Sequence, residues 1–215
     1  MRALAIDTVR RCLFAAVLLA ATPAGAQFSG DLAFTPDVCK AKRSCILKSE
    51  LVFKDDAGRV WRAEAGGVTD GASIPDWAQG VIGGPWDEAY VKAAALHDQY
   101  CGSMRRSWKE THRMFHDALV ALGVGQFKAK VMYYAVYLGG PKWEVATESP
   151  CDPAKGETCM MSLRPDGLEM VVRPERYGQM DMRREMRAAE EMLARNPRAS
   201  LEELEAMADR RRPED

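Results

Sequence analysis

The chain has 215 residues, with 30 lysines and arginines against 31 aspartates and glutamates, six cysteines and three histidines, and 47% of it is hydrophobic. A net charge this close to zero argues against a nucleic-acid binder, which needs a basic excess. The apolar content suffices for a packed core and argues against wholesale disorder, and the length fits one domain with additions.

Arg2, Arg10 and Arg11 precede the apolar run from Leu13 to Ala21 and the small-residue site Ala24-Gly25-Ala26. That order is the pattern of a secretory signal cleaved after Ala26. The run is too short to span a bilayer, and no later stretch approaches 18 apolar residues. The expectation is a periplasmic or secreted protein with no transmembrane segment in its mature chain. Removing 26 of the 215 residues leaves 189, with a net charge of about −3. Five cysteines remain, Cys39, Cys45, Cys101, Cys151 and Cys159, and an odd number in an oxidising compartment leaves one thiol over. Cys39 with Cys45 and Cys151 with Cys159 close the shortest loops and are the expected disulfides, although fifteen pairings are open.

Ile46 to Phe53 and Arg59 to Ala63 are β-rich runs on either side of Asp55-Asp56-Ala57-Gly58, a predicted hairpin. From Gly66 to Pro85 six glycines and two prolines mark a loop, with a short helix expected at Asp76 to Val81. Three helical patterns follow. The first is alanine-rich, Trp86 to Cys101. The second opens on the capping box Ser107-Trp-Lys-Glu110 and carries Trp108, Phe115, Leu119 and Leu122 on one face. The third has an apolar stripe of Phe127, Val131, Tyr134, Ala135 and Leu138 and stops at Gly139-Gly140-Pro141. Residues 173 to 215 hold ten arginines, no lysine and eleven carboxylates, with Met182, Met186, Ala189 and Leu193 at helical spacing, and a second capping box at Ser200 and Glu203. Together these predict a mainly α fold: an antiparallel long-helix pair, a third helix, a small N-terminal β-hairpin and a charged helical tail. The corresponding divisions are a signal peptide over 1–26, a globular domain over 27–160, and a linker with the tail over 161–215.

His97, His112 and His116 fall within one 20-residue window. The short connection between the first two long helices makes them antiparallel neighbours, and His97 and His112 come to similar height on either side of it. At about 100° per residue His112 borders the apolar stripe of its helix, so it is the better partner for His97, with His116 further round. Asp98 is turned by the same angle from His97. Upstream, Thr69-Asp70-Gly71-Ala72-Ser73-Ile74-Pro75 offers a carboxylate in a glycine-containing loop, the kind of oxygen donor a hard cation such as calcium uses. Trp77, Trp86, Trp108 and Trp143 suit either a lipid or glycan groove or, more commonly, core packing.

Phe53, Val68 to Pro75, Tyr90 to Ala95, His97-Asp98-Gln-Tyr100, Phe115, Ala118-Leu119, Gly123-Val124, Met132-Tyr133 and Gly139-Gly140 resemble, in order, the domain of unknown function 1353 found in phages and proteobacteria. The resemblance runs from about Leu47 to Trp143. More distantly, Thr-Asp-Gly-x-Ser-x-x-Pro, then His-Asp-x-x-Tyr, then a helix with a phenylalanine is similar to bacterial secreted phospholipase A₂. That similarity implies His97 as the base that activates water, Asp98 and Asp70 as calcium ligands, Gly71 as a carbonyl donor, and a phospholipid substrate. Where that family has an aspartate to orient the histidine, this chain has His112, which lacks a fixed negative charge. The departure brings in a second reading. His97 and His112 with Asp98 or Asp70 would hold a transition metal such as zinc and hydrolyse an amide or a cell-wall bond. Cys101, four residues after His97 and on the same helical face, is either the unpaired thiol near the site or, as the commoner reading has it, a disulfide partner or a buried small residue; a nucleophilic cysteine needs an oriented histidine and a third group. A third reading is a non-catalytic envelope protein whose tail binds a protein partner.

Overall fold

The computed structural model describes residues 25–36, 39–147, 151–152, 159–173 and 179–211. The signal segment over 1–24 lies outside them. The elements are β1 (Gln27–Ser29), β2 (Phe34–Thr35), α1 (Cys39–Lys42), β3 (Cys45–Leu47), β4 (Leu51–Lys54), β5 (Val60–Ala63), β6 (Val68–Thr69), α2 (Asp76–Ile82), α3 (Val91–Ser103), α4 (Trp108–Ala121), α5 (Gln126–Gly139), β7 (Lys142–Val145), β8 (Met160–Leu163), β9 (Glu169–Arg173), α6 (Gln179–Arg195) and α7 (Leu201–Arg211). The strands form three antiparallel three-stranded sheets, ordered β1-β4-β5, β2-β3-β6 and β7-β9-β8. Helix takes 46% and strand 18% of the described residues, so the fold is mixed α/β and the mainly α expectation is corrected.

The correction has a local cause. The run from Ile46 to Phe53 is not one strand: it is interrupted at Lys48 to Glu50, and its halves join different sheets, β3 between β2 and β6, β4 between β1 and β5. The expected hairpin is β4–β5, in register from Leu51 opposite Ala63 to Lys54 opposite Val60. The third sheet lies beyond α5, where strands of four or five residues are too short to present an alternating pattern that stands out from the charged and methionine-rich surroundings.

The helices follow the sequence more closely. The Ser107 hydroxyl accepts from the Glu110 amide at 3.3 Å and Glu110 accepts from the Ser107 amide at 3.2 Å, so α4 begins at its capping box. Helix α3 buries Ala93, Ala94, Ala95 and Leu96 and is apolar around most of its girth, as befits a helix enclosed by α4 and by the strands β5 and β6. Helix α4 packs on α3 and on α5, and α5 carries both tail helices. Met186, Ala189 and Leu193 of α6 and Leu204, Met207 and Ala208 of α7 are buried against the aromatic face of α5. The tail is therefore part of the packed body. Its anchor is Glu205, whose Oε1 accepts from Tyr133 Oη at 2.5 Å and Arg113 Nε at 2.7 Å.

Two disulfides join the expected partners, Cys39 with Cys45 and Cys151 with Cys159. They indicate an oxidising environment. No helix among the described residues is long and apolar enough to cross a membrane.

Candidate functional site

A cavity of about 610 Å³ opens between the loop over 70–75, α2, α3 and α5. Asp70, Gly71, His97, Asp98 and Cys101 all reach it, among apolar side chains that include Ile74, Trp77, Phe115, Met132 and Val136. Residues expected from sequence to share a site thus come together from a loop and a helix well separated along the chain.

The loop is held in place by its backbone. Gly71 has φ +82°, and a Cβ there would lie 2.7 Å from the Pro85 carbonyl oxygen, so the position takes glycine for both conformation and space. The Ala72 amide donates to that same carbonyl at 2.8 Å. Thr69, buried at the end of β6, ties loop to helix: its hydroxyl donates to Asp98 Oδ2 at 2.5 Å and accepts from the Gly71 amide at 3.1 Å. Burial drives the Asp98 carboxyl up to about 7; the Thr69 hydrogen bond opposes this, and the nearby Asp70 charge reinforces it.

His97 and His112 face each other across α3 and α4, with Nε2 of His97 2.9 Å from Nδ1 of His112. One nitrogen must donate and the other accept, so the contact fixes a complementary pair of tautomers. Burial lowers the His97 imidazole to about 4. Burial, then the His97 and Lys142 charges, put His112 well below its ordinary value, with an interaction at the Pro141 backbone acting the other way. Both rings are therefore neutral at pH 7. Trp108 and Trp143 pack edge-on around His112, which does not reach the cavity itself. Its Nε2 side lies against Gly140, where a Cβ would come within 3.2 Å of the ring and 2.3 Å of the Val136 carbonyl oxygen.

Cys101 is the residue whose part the sequence reading undervalued. Its Sγ lies 3.6 Å from Nε2 and 3.7 Å from Nδ1 of His97. The ligand atoms of His97, Cys101 and His112 all fall within 4.8 Å of one another, a set that could hold a metal ion. The i, i+4 spacing of His97 and Cys101 was the available signal. His116 stands apart: buried, it pairs with Asp117 at 3.1 Å and packs on Tyr133.

Residues 45–136 match the family described as "Protein of unknown function (DUF1353)". The chain is 35% identical over 173 residues to "Uncharacterized protein y4iH" of Sinorhizobium fredii (strain NBRC 101917 / NGR234), covering 78% of this chain and 71% of that protein. The chain belongs to the DUF1353 family. To "Uncharacterized protein y4jT" of the same organism it is 41% identical over 119 residues, 53% of this chain and about a third (35%) of that relative's length. No solved structure matches the chain. The DUF1353 match extends from β3 into α5 and contains Asp70, His97, Asp98, Cys101 and His112, while the tail helices that cover α5 lie outside it.

Proposed function

We propose that this DUF1353 protein is a metal-assisted hydrolase that acts, in the periplasm or outside the cell, on an ester or amide with an apolar arm. The observation that carries the reading is the shared cavity, which an imidazole, two carboxylates and a thiol line together with Arg43, Ser73 and a majority of apolar residues. Such a pocket accepts an acyl chain or an apolar peptide segment while aiming a few polar groups at the bond to be broken. The similarity of His97-Asp98 and Thr69-Asp70-Gly71 to bacterial secreted phospholipase A₂ supplies the reaction class and makes phospholipid the first substrate to try.

A bound cation would polarise the scissile carbonyl and lower the pKa of an attacking water. The chain offers two donor sets for it. Asp70, Asp98 and the Gly71 carbonyl suit a hard ion such as calcium, and they leave His97 to receive the water proton. His97, His112 and Cys101 suit a softer ion such as zinc, and they leave the Asp98 carboxylate, held by Thr69, as the proton acceptor. In both, α3 presents the group that takes up the water proton.

The test is release of fatty acid from phospholipid vesicles, and of stem peptide from peptidoglycan, with calcium, with zinc and with chelator. Activity that needs metal and falls at least a hundredfold in His97→Ala is the expected result. Failure on both substrates with every metal, or full activity in His97→Ala, would overturn the proposal.

A further inference from the structure

We infer that His97, Cys101 and His112 form a binding site for a soft divalent transition metal, zinc in the first instance, with its fourth coordination position open to the cavity. This rests on the hydrolase reading for its purpose but on separate observations for its existence. Zinc–nitrogen bonds of about 2.0–2.1 Å and zinc–sulfur bonds of about 2.3 Å set tetrahedral nitrogen–nitrogen and nitrogen–sulfur separations of about 3.3 and 3.6 Å. Here the facing imidazole nitrogens are 2.9 Å apart, and the sulfur is 3.6 Å from the nearer His97 nitrogen. Bringing all three onto one ion takes an opening of the imidazole pair by about 0.4 Å, judged against that tetrahedral value, a turn of both rings so that their nitrogens aim at a common point instead of at each other, and a rotation of the Cys101 side chain.

The surroundings separate this set from a chance cluster. His97 and Cys101 are one turn apart on the same rigid helix, and His112 is delivered from a second helix begun by a complete capping box. Two of the three reach the cavity and the third lies behind them. An ion held by them therefore has protein on one side and open volume on the other, the asymmetry of a site that keeps a position for water or substrate. Nε2 of His112 is buried against Gly140 and has no hydrogen-bond partner among the described residues, which leaves Nδ1, the nitrogen that faces His97, as its ligand atom. Nitrogen and sulfur donors favour zinc or cobalt over calcium.

The proton balance is simple. Both imidazoles bind as neutral ligands, through Nε2 of His97 and Nδ1 of His112, keeping one proton each on the other nitrogen. The Cys101 thiol gives up its proton, so one proton is released for each ion bound.

The experiment titrates the full mature chain, disulfides intact and metal removed, with cobalt(II) and with zinc(II). The expected result is one ion per chain, a thiolate-to-cobalt charge-transfer band in the near ultraviolet, and displacement of cobalt by zinc. Cys101→Ser should remove the band, and His112→Gln should weaken binding at least tenfold. Asp70→Asn with Asp98→Asn should leave the spectrum unchanged. If Cys101→Ser fails to fold, alkylation of Cys101 in the wild-type chain decides the matter, because bound zinc must slow it. No metal uptake, a charge-transfer band that survives Cys101→Ser, unslowed alkylation with zinc, or loss of the spectrum in the double aspartate variant would overturn the site. Metal binding without hydrolysis would instead sink the hydrolase reading and leave the site standing. Calcium-dependent hydrolysis unaffected by Cys101→Ser would do the reverse.

Discussion

Replacing Glu205 by alanine should loosen the tail and lower the stability of the whole domain. One oxygen of this buried carboxylate accepts from both Tyr133 Oη, at 2.5 Å, and Arg113 Nε, at 2.7 Å, so α7, α5 and α4 meet at a single point. The substitution leaves the fully buried Tyr133 hydroxyl without its acceptor, which costs about 1–3 kcal/mol. The Arg113 contribution is smaller than for an enclosed pair. Its side chain is 37% exposed and keeps Glu202 at 2.8 Å, so about 1 kcal/mol is a fair allowance after solvent screening. The total is about 3 kcal/mol, or a fall in Tm of about 6–12 °C for a chain of this size. Thermal unfolding followed by circular dichroism, with the disulfides oxidised, measures it. Glu205→Gln keeps an acceptor oxygen and should lose about half as much. Tyr133→Phe should cost less in the Glu205→Ala background than in the wild type, because the hydroxyl it removes is by then unsatisfied. A Tm shift below 2 °C for Glu205→Ala, or additive single and double variants, would refute the reasoning.

Acid should destabilise the fold in a window set by the site. Below pH about 6.5 the unfolded chain protonates both histidines, whereas burial keeps folded His97 neutral down to about 4 and holds His112 well below its ordinary value. Folded Asp98, raised to about 7, takes up a proton that its unfolded form does not, and this offsets one histidine. The balance is about one extra proton on the unfolded state. Stability should therefore fall by about 1.4 kcal/mol per pH unit as pH drops from about 6.5 to 4. Urea midpoints measured across that range check it: a flat profile contradicts the buried neutral pair, and Asp98→Asn should steepen the slope. Asp55→Ala should cost about 2–4 kcal/mol, because this buried carboxylate accepts from Trp61 Nε1 at 3.0 Å and Arg59 Nε at 2.7 Å; a urea midpoint within error of wild type would count against that. Gly140→Ala should destabilise as well, since the added methyl meets the Val136 carbonyl oxygen, and a variant as stable as the parent would show that α5 can end elsewhere.

The sequence by itself determined the parts of this protein that local chemistry dictates. The capping boxes at Ser107 and Ser200, the glycine stop after α5 and the two short-loop disulfides are each set within a few residues, and each is present as read. The facing of His97 and His112 was also legible, because a short link between two helices fixes both their direction and the height of residues counted from it. Tertiary structure alone decided the division of Ile46 to Phe53 between two sheets and the existence of the third sheet, since strands of two to five residues take their identity from partners distant in the chain. It also decided that the charged tail packs against α5. A stripe of methionine, alanine and leucine says that a helix must cover something, and only the aromatic face of α5 says what. Above all, it brought Cys101 against His97. Sequence spacing placed them on one side of a helix, and the neighbouring helix and cavity gave that side both a third ligand and an opening.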